Sequence, residues 1–282
     1  MGLRINTNVP SLIAQRNLRT NRSLLDRSLE RLSSGSRINH AGDDAAGLAI
    51  SESFRAQIKG LGQAERNAQD GISLVQVAEG SLSEVANMLI RMRELAVQGA
   101  SDTVGQQERG FMDVEFQQML EEIDRLAQST EYNRVKLLNG SASSFEIQIG
   151  TGNNPNLDRI KLFDASSADV NVVALGINLS SVADKMNAQN SLAALDKALN
   201  QITATRAGFG AMQNRLQTVV NNIMISKENL SAANSRIRDA DIAEETAELT
   251  KQQILSQSGI SVLGQANSSA KQALSLLGQG SG

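Results

Sequence analysis

The chain has 282 residues, a formal net charge of −3 and 40% hydrophobic residues, but only six Phe, one Tyr and no Trp. A globular enzyme of this length normally buries several large rings, so this composition favours aliphatic residues packed along long helices. Cysteine is absent, which excludes disulfides and thiolate metal sites. No run approaches the roughly 18 apolar residues of a membrane span, and the N-terminus lacks the apolar region of a signal peptide. Export of such a chain would require a dedicated machinery.

Residues 1–33 are predicted to form a basic, loosely amphipathic helix. Six Arg stand against one Asp and one Glu in this segment. Trp, Lys and stacking aromatic residues are missing from it, so a partner helix is a better target than a membrane or a nucleic acid. The apolar stripe consists of Ile5, Val9, Leu12, Leu18, Leu25, Leu29 and Leu32. Residues 34–44 are rich in turn formers and predict a linker.

Two long segments, residues 45–100 and 187–238, carry apolar residues every seven positions. Such a repeat specifies a coiled-coil seam. The two segments would span roughly 84 and 78 Å, and their similar lengths predict that they pack against each other. The repeats are Phe54, Leu61, Ala68, Val75, Leu82, Leu89 and Ala96, then Leu195, Ile202, Phe209, Leu216, Ile223, Leu230 and Ile237.

A shorter helix is predicted after a turn at Gly99–Gly105, and it completes a three-helix bundle. Residues 45–130 supply the N-terminal part of this bundle and 187–238 its C-terminal helix. The apolar residues of the shorter helix step by three and four: Met112, Phe116, Met119, Ile123 and Leu126.

Residues 131–186 are the β-rich part of the chain. FEIQI (145–149) and DRIKLF (158–163) alternate and are separated by a turn-rich run, which predicts a hairpin. NVVAL (171–175) is a candidate further strand. The predicted fold class is therefore mainly α: a long antiparallel coiled-coil bundle with a small β-hairpin region mid-chain and terminal helices that pair.

Residues 239–282 are predicted to form the last helix, which begins with a cluster of acidic residues. If the chain folds back on itself, Arg22, Arg27 and Arg31 would face this cluster. Charge reversal at Arg27 and Arg31 without effect on assembly would refute that hypothesis. The acidic residues are Asp239, Asp241, Glu244, Glu245 and Glu248, and the stripe of this helix is Ile254, Leu255, Ile260, Val262, Leu263, Leu274, Leu276 and Leu277.

The sequence predicts no catalytic residue, no cofactor site and no metal site. One histidine and no cysteine cannot supply a zinc-type ligand set, and no phosphate-binding or dinucleotide-binding motif occurs. His40 beside Asp43 and Asp44 is the one constellation to weigh. Capping of the next helix by Asp43 or Asp44 is favoured over metal binding.

The two ends of the chain carry motifs that resemble the bacterial flagellins. The N-terminal motifs are LERLSSGSRINHAGDDAAGLAIS (29–51), QAERNAQDGISLVQVAEGSLSEV (63–85) and RMRELAVQ (91–98). The C-terminal motif runs from NNIMISKENLSAANSRIRDADIAEE to LSQSGISVLGQAN (221–267) and is followed by ALSLL (273–277). The resemblance covers nearly the whole chain, with both halves in the family's order.

The resemblance implies a structural subunit that polymerises into the extracellular flagellar filament for swimming. It implies that residues 1–33 and 239–282 form an inner-core hairpin, without the bulky outer domains that many relatives insert mid-chain. The implied partners are further copies of the chain or other flagellins, an export chaperone, the filament cap and hook-junction proteins. No nucleic acid and no membrane insertion are expected.

The resemblance also implies a joint between inner and outer helices and a receptor contact. The joint residues are Gly35, Arg37, Asn39, Gly42, Asp43 and Asp44, with Arg236, Arg238, Asp239 and Asp241 on the returning chain. A Toll-like receptor would contact Arg91, Leu95, Gln98 and Glu115, although this sequence departs from the family pattern at Ile90 and Met119. Subunit packing is the alternative role of Arg91 and Glu115.

Two other functions remain open on the sequence alone. A hook–filament junction protein would share the terminal architecture but match RELAVQ and SRIRDAD less well. A coiled-coil signalling rod would explain the heptads, but it would need a membrane span or an attached sensor.

Overall fold

A computed structural model describes residues 7–140, 144–162 and 169–278, with side chains described to residue 269. Five helices and four short strands follow in chain order: α1 (Val9–Ser34), α2 (Ala45–Gly99), α3 (Gln106–Ser129), β1 (Glu131–Tyr132), β2 (Val135–Lys136), β3 (Glu146–Gln148), β4 (Arg159–Lys161), α4 (Lys185–Arg238) and α5 (Ile242–Gly278). The chain divides into two compact units, Met1–Ala56 with Leu230–Gly282, and Gln57–Asn229. The mainly α fold class predicted from the sequence is confirmed.

The unit formed by Gln57–Asn229 is an antiparallel bundle of α2, α3 and α4. Ion pairs between α2 and α4 link Glu65 to Lys227, Glu79 to Arg206 and Arg93 to Asp196, so the residue numbers run in opposite directions. Nine of the fourteen predicted heptad residues are buried in one cluster: Ala68, Val75, Leu82, Leu89, Ala96, Leu195, Ile202, Phe209 and Leu216. Ile223 is buried outside this cluster, and Phe54, Leu61, Leu230 and Ile237 are only partly buried. The prediction that the two long helices pack together is confirmed.

The third helix joins this bundle through the turn that the sequence predicts. Arg109 donates to the carbonyl oxygens of Gly99 and Ser101 at 2.8 Å each, which ties the first turn of α3 to the end of α2. Phe116 and Ile123 of α3 are fully buried, and Met112, Met119 and Leu126 pack against the same core.

The predicted hairpin forms between β3 and β4 and lies along α2. Ile147 pairs with Ile160 in the antiparallel register. Asn67 of α2 donates to the Gln148 carbonyl at 3.0 Å, and Gly71 leaves room for Ile147, whose Cγ1 would lie only 3.2 Å from an added Cβ. Phe163, the last residue of the predicted second strand, lies outside the described residues.

The candidate strand at 171–175 is wrong. Val172 donates to the Asp124 carboxylate at 2.8 Å, and the amide of Leu175 bonds the carbonyl of Asn171 at 3.0 Å. These backbone groups are therefore satisfied by α3 and by local turns instead of by a neighbouring strand. The apolar residues that favoured a strand, Val172 and Leu175, are buried in the bundle core.

No helix among the described residues is long and apolar enough to cross a bilayer. Within the same residues, no three His, Asp or Glu side chains come together as potential metal ligands.

The second hairpin, β1–β2, holds its two turn residues in the left-handed region. Asn133 has φ 51° and Arg134 has φ 66°. This is the geometry of a two-residue turn in which glycine is favoured at the second position. Replacement of Arg134 by Gly should therefore raise the free energy of unfolding of the bundle by about 0.5–1 kcal/mol, measured by chemical denaturation.

Arg134→Ala is the matched control, because it removes the same charge but keeps the Cβ that disfavours this conformation. We expect no gain in stability from it. Equal stability of the Gly and Ala variants would contradict the role of backbone strain.

Candidate interaction site at the terminal helices

The terminal helices α1 and α5 pack against each other in antiparallel orientation. At one end, Asn8 Nδ2 donates to the Ala266 carbonyl at 2.9 Å and Ser11 Oγ bonds Asn267 Oδ1 at 3.0 Å. At the other end, Arg31 lies 3.9 Å from Glu245. The predicted pairing of the terminal helices is confirmed.

The seam between α1 and α5 is built mainly from small and polar side chains. Ser11, Ala14 and Ser28 are the buried residues of α1, and Gln252 and Ala266 are those of the part of α5 whose side chains are described. The least exposed positions follow three-and-four spacing on both helices: Ser11, Ala14, Leu18, Asn21, Leu25 and Ser28 on α1, and Glu245, Leu249, Gln252, Ser256, Gly259, Leu263 and Ala266 on α5. This spacing is that of a coiled-coil seam.

Gly259 shows how closely the two helices approach. A Cβ added there would lie 3.1 Å from Leu18 Cδ1, a distance at which one of the two groups must move. The leucine therefore occupies space that any larger residue at position 259 would need.

Large apolar side chains on the same two helices point away from the seam. They remain about 40–60% exposed: Val9, Leu12, Ile13, Leu24 and Leu29 on α1, and Ile242, Ile254, Leu255, Ile260 and Val262 on α5. Exposed apolar residues in such numbers are typical of a surface that another molecule covers. The seam thus holds small and polar side chains together with four leucines, while ten large apolar side chains remain on the outer surface of the described hairpin.

The stripes predicted from the sequence mix residues of both surfaces. Leu18, Leu25, Leu32 and Leu263 are partly buried, whereas Val9, Leu12, Leu29, Ile254, Leu255, Ile260 and Val262 are exposed. Ile5, Leu274, Leu276 and Leu277 lie outside the residues whose side chains are described. The predicted stripes contained Leu18, Leu25 and Leu263 of the seam but missed its small and polar residues, although Ser11, Ala14 and Ser28 have a spacing compatible with it.

The chain segments next to the hairpin meet in a short backbone ladder. Ser36 and Asp239 form an antiparallel bridge. The amide of Arg37 donates to the Arg238 carbonyl at 2.6 Å, and that of Ala240 to the Gly35 carbonyl at 3.0 Å. We call residues 35–44 and 235–241 the joint.

Backbone geometry and capping define the turns of the joint. Gly35 ends α1 in the left-handed region with φ 68°, a conformation that glycine adopts without strain. Gly42 lies in the turn at residues 41–43, in which the Asp43 amide donates to the His40 carbonyl at 3.0 Å, and it takes part in this turn without a positive φ. Asp44 caps α2 by accepting from the Gly47 amide at 2.8 Å, and Asp241 caps α5 by accepting from the Ala243 amide at 2.8 Å.

Ile38 anchors the joint, and sequence analysis did not select it. Its side chain is only 1% exposed. A Cβ added to Gly47 would lie 2.8 Å from Ile38 Cδ1 and would also collide with the Asp44 carboxylate. An isoleucine among turn formers is the signal that could have identified it.

Ionic contacts in the joint differ from the predicted pairing of basic and acidic segments. Arg31 reaches Glu245 as expected, but Arg27 lies 3.6 Å from Asp43 within the joint instead. Arg22 makes no ion pair with a described residue. The prediction fails for Arg27 because loop 39–43 folds back onto the last turns of α1 and supplies the Asp43 carboxylate. It also fails for Arg22.

Other predicted joint residues take local roles. His40 Nε2 lies 2.7 Å from Glu30, Asn39 Nδ2 donates to Ser34 Oγ at 2.9 Å, and Arg238 bonds Glu52 at 3.0 Å. Arg236 is exposed on α4.

The pKa of Asp43 lies below its ordinary value of 3.8. The largest cause is the hydrogen bond from the His40 amide, aided by the Asn39 amide and the charges of Arg27 and Arg31, while desolvation opposes it. A carboxylate with a lowered pKa stabilises the folded joint above its ordinary pKa, and this contribution is lost as the pH falls through the lowered value.

The four residues expected at a receptor contact lie on the bundle. Arg91 bonds Glu94 and Glu115 at 3.0 Å each, and hydrogen bonds to these two carboxylates raise its pKa. Gln98 is exposed, but Leu95 is only 2% exposed and lies in the core. The expectation that a receptor contacts the Leu95 side chain directly is therefore wrong, because this side chain is buried in the bundle. A shallow groove of about 510 Å³ is lined by Ile90, Arg93, Glu94, Val97 and Gln98.

Asp43→Asn should weaken the joint at neutral pH by about 1 kcal/mol, because a neutral acceptor replaces a charged one. Hydrogen-exchange protection of the Arg37 and Ala240 amides, corrected for intrinsic exchange, measures this opening. Protection in the unaltered chain should fall only in acid, near and below pH 3.8, whereas the variant should show little pH dependence. Equal protection in both chains at pH 7 would exclude a role of the carboxylate.

Known proteins are similar in sequence to both helical halves of this chain. The family model of the bacterial flagellin N-terminal helical region matches residues 5–143, and that of the C-terminal helical region matches residues 192–277. A flagellin from Halalkalibacterium halodurans is 44% identical over 273 residues, which cover 97% of this chain and 99% of that protein.

Solved structures agree in fold. The crystal structure of Bacillus cereus flagellin matches with a TM-score of 0.50 and 30% identity over 60% of this chain and 94% of that chain. A structure from Vibrio parahaemolyticus, assigned to a flagellar hook-associated protein, matches with a TM-score of 0.58 over 70% of this chain and 100% of that chain, but at 14% identity it shows the fold alone. The chain belongs to the bacterial flagellin family, whose members are structural subunits of the extracellular flagellar filament that serves swimming motility.

Proposed function

We propose that this chain assembles into the filament by burying the outward apolar faces of its α1/α5 hairpin against neighbouring subunits. The observation that supports this most strongly is the burial of polar residues and the exposure of apolar ones in the hairpin: Ser11 and Gln252 are buried in the seam, whereas Leu12 and Ile254 are exposed. Apolar side chains that remain in contact with water contribute no burial free energy to the monomer, whereas a polymer can bury them between subunits.

The apolar faces carry enough free energy to drive association. Complete burial of a Leu or Ile side chain is worth about 1.5–3 kcal/mol, and these side chains are already about half buried, so roughly 1 kcal/mol remains for each. Each subunit offers five such residues on α1 and five on α5. A face of α1 that meets a face of α5 on the next subunit forms a heterologous contact, which repeats without closing and builds a filament.

The bundle of α2, α3 and α4 would make the subunit stiff. Its core consists of interlocking heptad residues such as Leu82 and Ile202, both fully buried, and close-packed interiors have low compressibility. In this proposal residues 1–33 and 239–282 form the inner core of the filament, as expected from the sequence, and the bundle supplies stiffness. The proposed function includes no catalytic step, and the structural nature of the family supports that assignment.

The exposed face of α5 also suits the other partners of a secreted subunit. An export chaperone would cover Ile254, Leu255, Ile260 and Val262 before assembly, since one apolar face of a helix fits a hydrophobic groove. The filament cap and the hook-junction proteins would use the same face at the two ends of the polymer. The high identity to flagellins favours a filament subunit over a junction protein.

Assembly should fail when the outward face of α5 becomes polar. Ile254→Asn combined with Val262→Asn should raise the critical concentration for seeded polymerisation tenfold or more, because about 2 kcal/mol of contact is lost. Sedimentation of filaments grown on seeds measures it. Gln253→Asn, an exposed polar change on the same helix, controls for helix propensity and should leave the value within twofold. An unchanged critical concentration in the double variant would refute the proposal.

We also propose that a Toll-like receptor contacts the bundle through the exposed residues Arg91, Gln98 and Glu115. The two carboxylates beside Arg91 hold its guanidinium in a fixed position, and a planar, multiply bonded Arg is a frequent anchor of protein interfaces.

Arg91→Ala should lower receptor activation by the monomer at least tenfold in a reporter-cell assay. Its ion pairs are solvent exposed, so the bundle should lose less than about 1 kcal/mol. Arg125→Ala, which breaks an exposed pair with Glu122 on α3, is the matched control and should leave activation unchanged. A loss of polymerisation with full activation would instead assign Arg91 to subunit packing.

A further inference from the structure

The seam between α1 and α5 repeats itself every seven residues. Leu18, Leu25 and Leu32 are spaced by seven on α1, and Gln252, Gly259 and Ala266 are spaced by seven on α5. In the observed register Leu18 lies against Gly259. A slip of seven residues, roughly 10.5 Å along the helix axis, would again bring a leucine of α1 opposite a small or polar residue of α5. Packing at these positions alone therefore leaves the register ambiguous.

The backbone ladder of the joint does not share this ambiguity. It connects Gly35, which directly follows α1, with Ala240, two residues before α5 begins. Each hydrogen bond pairs one amide with one carbonyl, so the end of α1 and the start of α5 are fixed to each other within about a residue. The buried Ile38 holds the loop on which this ladder depends.

Polar contacts at both ends of the hairpin agree with the same register. Arg31 faces Glu245 near the joint, and Ser11 bonds Asn267 at the far end. A slip of seven residues in one direction would replace Glu245 by the neutral Gln252, so Arg31 would lose its carboxylate. Polar residues in a coiled-coil seam are known to specify register in this way.

We infer that the joint, through its backbone ladder, determines the register of the α1/α5 hairpin. The register in turn aligns the exposed residues of α1 with those of α5 and so defines the composite surface presented to the next subunit. A slipped hairpin would displace the α5 face by two helical turns relative to the α1 face. The second part of this inference rests on the proposed function; the first part does not.

The absence of cysteine makes the register directly measurable. Leu18→Cys with Gly259→Cys reports the observed register after treatment with a short bis-maleimide cross-linker. Leu18→Cys with Ala266→Cys and Leu18→Cys with Gln252→Cys report slips in the two directions. Each pair is placed in the full chain and read as cross-linked monomer on a denaturing gel, before and after seeded assembly.

The joint is then weakened by Arg37→Pro and Ala240→Pro, which together remove both ladder donors. Arg37→Ala with Ala240→Ser retains both amides and is the matched control. We expect only the Gly259 pair to cross-link in the unaltered joint and in the control. In the double-proline chain a slipped pair should rise from background to at least a tenth of the product.

Three results would overturn the inference. They are a slipped pair that cross-links with the joint intact, a double-proline chain that keeps only the Gly259 pair, and a double-proline chain in which no pair cross-links. The last result would mean that the joint is needed for the hairpin itself and not for its register. Correct cross-linking in a chain that never assembles would refute the proposed function and leave the register assignment standing.

Discussion

The packing of small and polar residues between α1 and α5 is the constraint on which the rest of the molecule depends. Ser11, Ala14, Gln252 and Ala266 occupy the seam together with a few leucines such as Leu18, and many of the larger apolar residues of both helices are left on the outside. An isolated hairpin of this kind gains little from folding, since neither ordering entropy nor exposed apolar surface is offset by a large core. Its stability must come from neighbouring molecules, which is the requirement of a polymer subunit.

The bundle differs from the terminal hairpin, because it buries its large apolar residues in its own core. Residues 57–229 bury most of their heptad residues in a core within the same chain. In the proposed assembly, the terminal helices bury their exposed apolar residues against neighbouring subunits. The joint uses a third kind of packing. Backbone hydrogen bonds, the Asp43 carboxylate and the buried Ile38 stabilise it in place of a large core. Directional contacts of this sort specify position better than apolar contacts do.

The long helices and the β3–β4 hairpin could be predicted from the sequence because their periodicities are local and strong. The polar seam could not, since Ser28 and Gln252 resemble ordinary surface residues until the partner helix is known. NVVAL was predicted as a strand from its apolar residues, but it forms turns, since the carboxylate of Asp124, 48 residues away, accepts the Val172 amide. Arg27 was assigned to the wrong partner for a similar reason: Asp43 lies closer once the loop folds back.

The seven-residue repeat of the seam also limits how the lengths of α1 and α5 can vary among members of this family. The repeat consists of Leu18, Leu25 and Leu32 on α1 and Gln252, Gly259 and Ala266 on α5. Removal or insertion of seven residues in α1 alone would change the length of α1 relative to its partner, and a number of residues that does not complete whole turns, such as two, would rotate the apolar face of either helix into the seam. Matched changes of seven in both helices preserve every contact. Natural variation in the length of these helices should therefore occur in paired steps of two turns, each worth roughly 10.5 Å.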